Sequence, residues 1–285
     1  MKVTKEQLIE IIKSSSIHAD LNHLDVSDIK DMSNVFYKTR FNGSIHRWDV
    51  SNVTNMYGMF KESRFNGDIS NWIVNKVENM SNMFENSIFN GDISRWRTIK
   101  VKDMTSMFYN SCFNGDISRW DVSNVTSMMD MFNRSLFNGD ISEWDVSSVT
   151  NASFMFNRSK FNRDISKWKT SKVTSMLNMF NESIFNGDIS KWDVRKVRNM
   201  FYMFRKSNFN GDIGEWNVSS VTDMCAMFEG SVFNRDISKW EVGKVKDMSR
   251  MFKASKFTGD VSNWNIKPKA VTTEMFYKTN QTIHL

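Results

Sequence analysis

Three rows of residues recur along this chain at chemically suggestive intervals, each member 24 residues from the next. A methionine row runs from Met59 to Met275, and thioethers are ligands for soft ions such as Cu(I). A carboxylate row runs from Asp68 to Asp260, with Ser44 in its first place, and hard oxygen donors suit Ca²⁺. The ten tryptophans, Trp48 to Trp264, form the third row; exposed indoles would offer a stacking face to sugars. Each row also has a plainer explanation, which its neighbours favour. Every methionine of this row directly precedes a phenylalanine, as sulfur–aromatic contacts in a core require. Each aspartate in the row but Asp260 lies two residues past an asparagine, mostly in Asn-Gly-Asp, with no second acidic row beside it, as in an Asx turn accepting backbone N–H groups. Trp120 alternates with Arg119 and Asp121, and Val122 lies two residues on, so the indole is expected to face inward. No metal or other cofactor is expected. The Asn42–Asn234 and Ser63–Ser255 rows read as further turn-capping ladders.

Catalysis has little to work with. His18, His23, His46 and His284 lie near the two ends, no nucleophile has a base at a recognisable spacing, and no glycine loop with a lysine could cradle phosphate. The expectation is a protein that is not an enzyme. Cys112 and Cys225 occupy different repeat positions more than four coils apart; at roughly 4.8 Å per coil they should lie about 20 Å from each other, beyond disulfide reach.

The exposed positions beside each tryptophan vary, and there the chemistry becomes specific. Arg95, Arg97 and Arg119 fall on adjacent coils, and Lys167, Lys169 and Lys191 form a second basic group. Residues flanking an inward tryptophan share the outer face, so each group should be one cationic patch suited to carboxylate or phosphate. A protein partner, an acidic one among the candidates, is the first expectation. Nucleic acid or another polyanion is the second, its affinity falling steeply with salt. The net charge of +6, from 38 basic and 32 acidic residues, is a modest excess rather than a polycation.

These residues are held by an unbroken period, the signature of coils that stack only on their neighbours. Length alone would allow two globular domains, but the period predicts one elongated body. In the coil at 113–136, Trp120 and Val122 alternate with polar neighbours as in a short strand. Ser123 is a plausible helix cap, and Val125, Met128, Met131 and Phe132 fall on one face of a short helical segment. Asn138-Gly139 marks a turn. The fold class expected is therefore an α/β repeat solenoid, one short parallel strand and one short helix per coil.

Residues 1–16 should form an N-terminal capping helix, Thr4 and Gln7 making a capping box and Leu8, Ile11 and Ile12 one apolar face. Residues 17–40 read as a degenerate capping repeat, with Leu24 in the tryptophan place. Ten full repeats occupy 41–280, and 281–285 form a tail. In the last repeat Lys269 and Thr272 replace core residues, and Pro268, the only proline, would block a ladder N–H. Glu6 and Glu10 interrupt the apolar residues of the N-terminus, which predicts a cytoplasmic protein without a signal peptide, and no stretch reaches membrane-span length.

The unit Phe-Asn-Gly-Asp-Ile-Ser-x-Trp-Asp-Val-Ser-Asn-Val-Thr-x-Met-x-x-Met-Phe resembles the repeat of the bacterial surface protein (BspA-like) leucine-rich-repeat family, also abundant in mycoplasma-type lipoproteins. The resemblance covers residues 17–280. It implies a right-handed, leucine-rich-repeat-like solenoid that binds proteins or host surfaces, with an exported adhesin as a further possibility.

Overall fold

The computed structural model describes residues 1–279. Asn280 of the last repeat, His284 and the 281–285 tail lie outside the described residues. The chain divides into two units, Met1–Asp140 and Ile141–Leu285, each a stack of 24-residue coils.

Helix α1 (Lys5–Ser14) opens the first unit, and its capping box is complete: Thr4 Oγ1 accepts from the Gln7 N–H, and Gln7 Oε1 accepts from the Thr4 N–H. Leu8 and Ile12 are buried, while Ile11 stays half-exposed. Lys5 extends from the helix to Asp31 and Ser33 of the first coil, at 2.8 and 2.7 Å.

The coils themselves depart from the expected strand and helix. Among the described residues α1 is the sole helix, and no strand forms at the tryptophans. The chain there runs through consecutive turns: the Trp120 N–H donates to Ile117, the Ser123 N–H to Asp121 Oδ1, and the Val125 N–H to Val122. Ser123 thus donates within an Asx turn and caps no helix. The inward alternation of Trp120 and Val122 is made by turns, which mimic the period of a strand.

Inter-coil pairing falls instead on the segment read as helical. The N–H groups of Met104, Ser106, Phe108 and Asn110 donate to the carbonyls of Ser127, Met129, Met131 and Asn133 in the next coil, at 2.8–3.1 Å. In the second unit Met176, Asn178, Phe180 and Glu182 repeat this toward Asn199, Phe201, Met203 and Arg205. Isolated parallel bridges mark the same columns, from Asp31 through Asn55, Asn79 and Asp103 to Ser127, and from Asn151 through Asn199 to Val271. A helix fails because two residues per coil take left-handed φ, Ser106 at 54° and Asn110 at 48° for example, which turns alternate N–H groups out of the coil toward the next. Glycine fills this role only at Gly58 and Gly230.

The core is a set of aligned rows. The methionines of the Met59–Met275 row are almost wholly buried, and so are the ten tryptophans. Trp96 and Trp120 stack with centroids 6.3 Å apart and planes 4° from parallel; Phe84 and Phe108 do so at 5.7 Å, Phe89 and Phe113 at 6.4 Å. These separations exceed the roughly 4.8 Å expected between paired chain segments. The rings are therefore offset, the arrangement their quadrupoles favour. Each indole also has a polar tie. Trp120 Nε1 donates to the Ile93 carbonyl at 3.0 Å, and that carbonyl also accepts from the Trp96 N–H, so both its lone pairs are used. Trp96, Trp192 and Trp240 make the same bond.

Replacing Trp120 by alanine should cost about 3–5 kcal/mol through the cavity left behind. Phenylalanine there should cost less but still roughly 1 kcal/mol or more, because the Ile93 carbonyl loses its indole donor. Chemical denaturation separates the two, and equal losses would show that the bond contributes nothing. The left-handed residues give a second expectation. Ala254 is exposed with φ 53°, so Ala254→Gly should raise stability by about 0.5–1 kcal/mol, whereas Gly230→Ala at φ 65° should lower it. The same denaturation midpoints test both signs.

Candidate binding surface

The polar rows serve as turn devices. In the carboxylate row, Asp68, Asp92, Asp116, Asp164, Asp188, Asp236 and Asp260 each accept the backbone N–H two residues on, at 2.8–2.9 Å. That bond is the main reason their carboxyls sit below the usual range; it outweighs repulsion from neighbouring carboxylates such as Asp92 beside Asp68. Asn217 makes the same turn in the row beside the tryptophans, so a neutral acceptor serves equally. Each asparagine of the Asn42 row holds the next coil: Asn66, Asn90 and Asn114 donate their N–H groups to the Oδ1 of Asn42, Asn66 and Asn90 at 2.8 Å. The buried serines cap the turn before each phenylalanine, Ser111 Oγ accepting the Phe113 N–H at 3.1 Å. Both cysteines are free; Cys112 is exposed, and burial pushes the Cys225 thiol up.

With these rows committed to structure, the variable positions remain. Arg95, Arg97 and Arg119 are brought together: all three line one concavity of about 720 Å³ with Ile99, Asp116 and Asp121. Arg95 and Arg97 also border a second hollow of about 380 Å³ beside Ile73 and Asn75. None of the three arginines has an ion-pair partner among the described residues. Arg119 and Asp121, which flank Trp120, form no ion pair; Asp121 directs its carboxylate to Ser123.

A local substitution pattern builds this surface. Arg97 stands where other coils carry Asp49, Asp121 or Asp145, and Thr98 stands where they carry valine. Thr98 is buried, and its hydroxyl donates to the Asp121 carbonyl at 2.8 Å, fixing the neighbouring coil beside the patch. Exposed Ile73 and Ile99 add apolar contact area, Ile99 in the hollow of the three arginines and Ile73 in the one beside it. Sequence reasoning missed both isoleucines, although each interrupts an otherwise polar row.

The lysine group is assembled differently. Lys167 forms an ion pair with Glu143, so its charge is already partly answered. Lys169 and Lys191 are exposed and reach only the general field of Asp145 and Asp188. On the Met–Phe segment of this unit, Arg205 stacks over Tyr202 and pairs with Glu182 and Glu229, while Arg250 donates to the Tyr202 hydroxyl. Those cations are committed within the molecule.

The Asx carboxylates impose a pH dependence. Their folded pKa values lie below the unfolded value of about 3.9, so their contribution is complete above it and is lost as pH falls through the folded values. Asp130 and Asp223, raised by burial, act in the opposite sense but are few. The melting temperature should therefore fall between about pH 4 and pH 2. Asp68→Asn, Asp92→Asn and Asp116→Asn together should keep the turns and blunt that fall; an unchanged acid profile would exclude the row as its source.

A family model described as "Mycoplasma protein of unknown function, DUF285" matches residues 6–112, 86–186 and 183–284. The matched segments span nearly the whole chain, and the chain belongs to this repeat family. No curated protein and no solved structure matches it. Among the described residues no helix is long and apolar enough to cross a membrane.

Proposed function

We propose that this member of the Mycoplasma repeat family is a non-enzymatic scaffold that binds a protein, with Arg95, Arg97 and Arg119 as its anchors. The observation that carries the reading is three guanidinium groups around one hollow, without ion-pair partners, with exposed Ile99 lining the same hollow and exposed Ile73 lining the one beside it. Arginine keeps its charge, presents a fork of donors to carboxylates, and is weakly enough hydrated to be covered by a partner. An acidic peptide carrying one apolar side chain matches that mixture: carboxylates on the guanidinium forks, the apolar group on Ile73 or Ile99. The repeat's resemblance to BspA-like leucine-rich repeats supports a recognition role and a solenoid of the leucine-rich-repeat kind.

The lysine group is a weaker anchor, because Lys167 must give up Glu143 before it can serve another anion. Polyanion binding at that group therefore ranks second.

Arg95→Glu, Arg97→Glu and Arg119→Glu together should abolish retention of the native partner and binding of a fluorescent acidic, leucine-containing peptide. The melting temperature should change little, since all three side chains are exposed. Lys167→Glu should leave both nearly intact. Undiminished affinity in the triple variant would overturn the assignment of the site.

A further inference from the structure

A second cationic surface lies in the Ile141–Leu285 unit, at positions four and six residues past the tryptophans. Here the backbone itself sets the register. The Thr174 N–H donates to Thr150, Arg198 to Thr174, Thr222 to Arg198 and Lys246 to Thr222, each at 2.8–2.9 Å. This column carries one residue per coil, so Arg198 and Lys246 stand in line two coils apart, roughly 10 Å if each coil adds about 4.8 Å. Two residues earlier in the same coils stand Lys172, Lys196, Ser220 and Lys244. All five cations are exposed, and none forms an ion pair or a side-chain hydrogen bond among the described residues.

The nearby acids are largely engaged. Asp193, which feels Lys196, is held by Arg195 through two bonds of 2.7 and 2.9 Å. Asp145, which feels Lys169 and Lys172, accepts the Ser147 N–H. Exposed Glu241, three residues before Lys244, makes no ion pair with it. The edge therefore holds five positive charges without ion-pair partners, in two rows whose register the backbone sets.

We propose that this edge binds the phosphodiester backbone of a double-stranded nucleic acid without reading its sequence. Three observations favour that occupant. Lysine, four of the five cations, is a point charge suited to phosphate oxygens. A duplex carries about one negative charge per 1.7 Å of axis, so a straight array meets phosphates wherever it lands. The two rows contain no aromatic residue to stack unpaired bases, and Ser220, in line between Lys196 and Lys244, has a hydroxyl that can also donate to phosphate, whereas those of Thr174 and Thr222 are spent on the carbonyls of Thr150 and Arg198.

The test is fluorescence anisotropy of the full chain with a labelled 24-base-pair DNA duplex, titrated at several salt concentrations. The wild type should bind at about 50 mM salt, with log affinity falling by roughly 3–5 per tenfold rise in salt if most of the five cations meet phosphates. Arg198→Gln with Lys246→Gln should make that slope shallower by about two. Lys172→Glu, Lys196→Glu, Arg198→Glu, Lys244→Glu and Lys246→Glu together should abolish binding with the circular dichroism spectrum unchanged. The Arg95/Arg97/Arg119 triple glutamate variant should retain it. The proposal is overturned if the wild type does not bind the duplex, if the five-fold variant binds equally well, or if heparin binds while the duplex does not.

Discussion

A coil in this protein cannot satisfy its own backbone. Outside α1 the described residues form no helix, and the turns within a coil leave alternate N–H groups of the Met–Phe segment pointing away from it. Those donors find partners only in the following coil, through bonds such as Phe108 to Met131 and Phe180 to Met203. Each pairing requires left-handed residues, which cost about 1 kcal/mol or more when they are not glycine. Stacking is thus an obligation of the backbone, since an unpaired buried N–H is more costly still. The aromatic rows follow from it: once coils are in register, identical rings must lie over one another, and they slip into offset stacks.

This constraint explains which positions can vary. Residues whose side chains complete the stack are held almost fixed: the tryptophan whose N–H reaches the preceding isoleucine carbonyl, the serine that caps the phenylalanine turn, the asparagine that grips the next coil. Positions that only face solvent carry arginine, lysine, glutamate, isoleucine or serine without disturbing the register. Even there, change can recruit a core adjustment. Arg97 and Lys169 are each followed by threonine in place of valine, and both hydroxyls bond the next coil's carbonyl, at Asp121 and Asp193.

Much of this was legible in the sequence, because a 24-residue period names the core rows directly. The inward tryptophans, the Asx carboxylates, the serine caps and the Thr4–Gln7 capping box all follow from local chemistry that spacing reveals. The local conformation of the coil did not follow. Trp120 and Val122 look like a strand because two successive turns also send every second residue inward. Met128, Met131 and Phe132 look helical because turns with left-handed residues four positions apart give a similar spacing of buried side chains. Left-handed φ at Asp130 and Arg134 leaves no compositional mark, since asparagine, serine, glutamate, tyrosine and arginine all take that place in other coils. The candidate surface was half legible: the arginine group was visible as charge, whereas the answering of Lys167 by Glu143 depends on geometry between coils.

The two cationic surfaces differ in what surrounds the charge, and that difference bears on recognition more than charge itself. Around Arg95, Arg97 and Arg119 the ground is concave and partly apolar, so a partner gains by burying Ile73 and Ile99 as well as by pairing charges. Affinity of that kind survives moderate salt and discriminates by shape. Along Lys172, Lys196, Arg198, Lys244 and Lys246 the neighbours are small and hydroxylic, and every favourable contact is electrostatic. Affinity of that kind is spread evenly along the array and yields quickly to salt. A period of 24 residues makes either surface easy to build, because a substitution at one exposed position enters a row whose direction and spacing the backbone has already set.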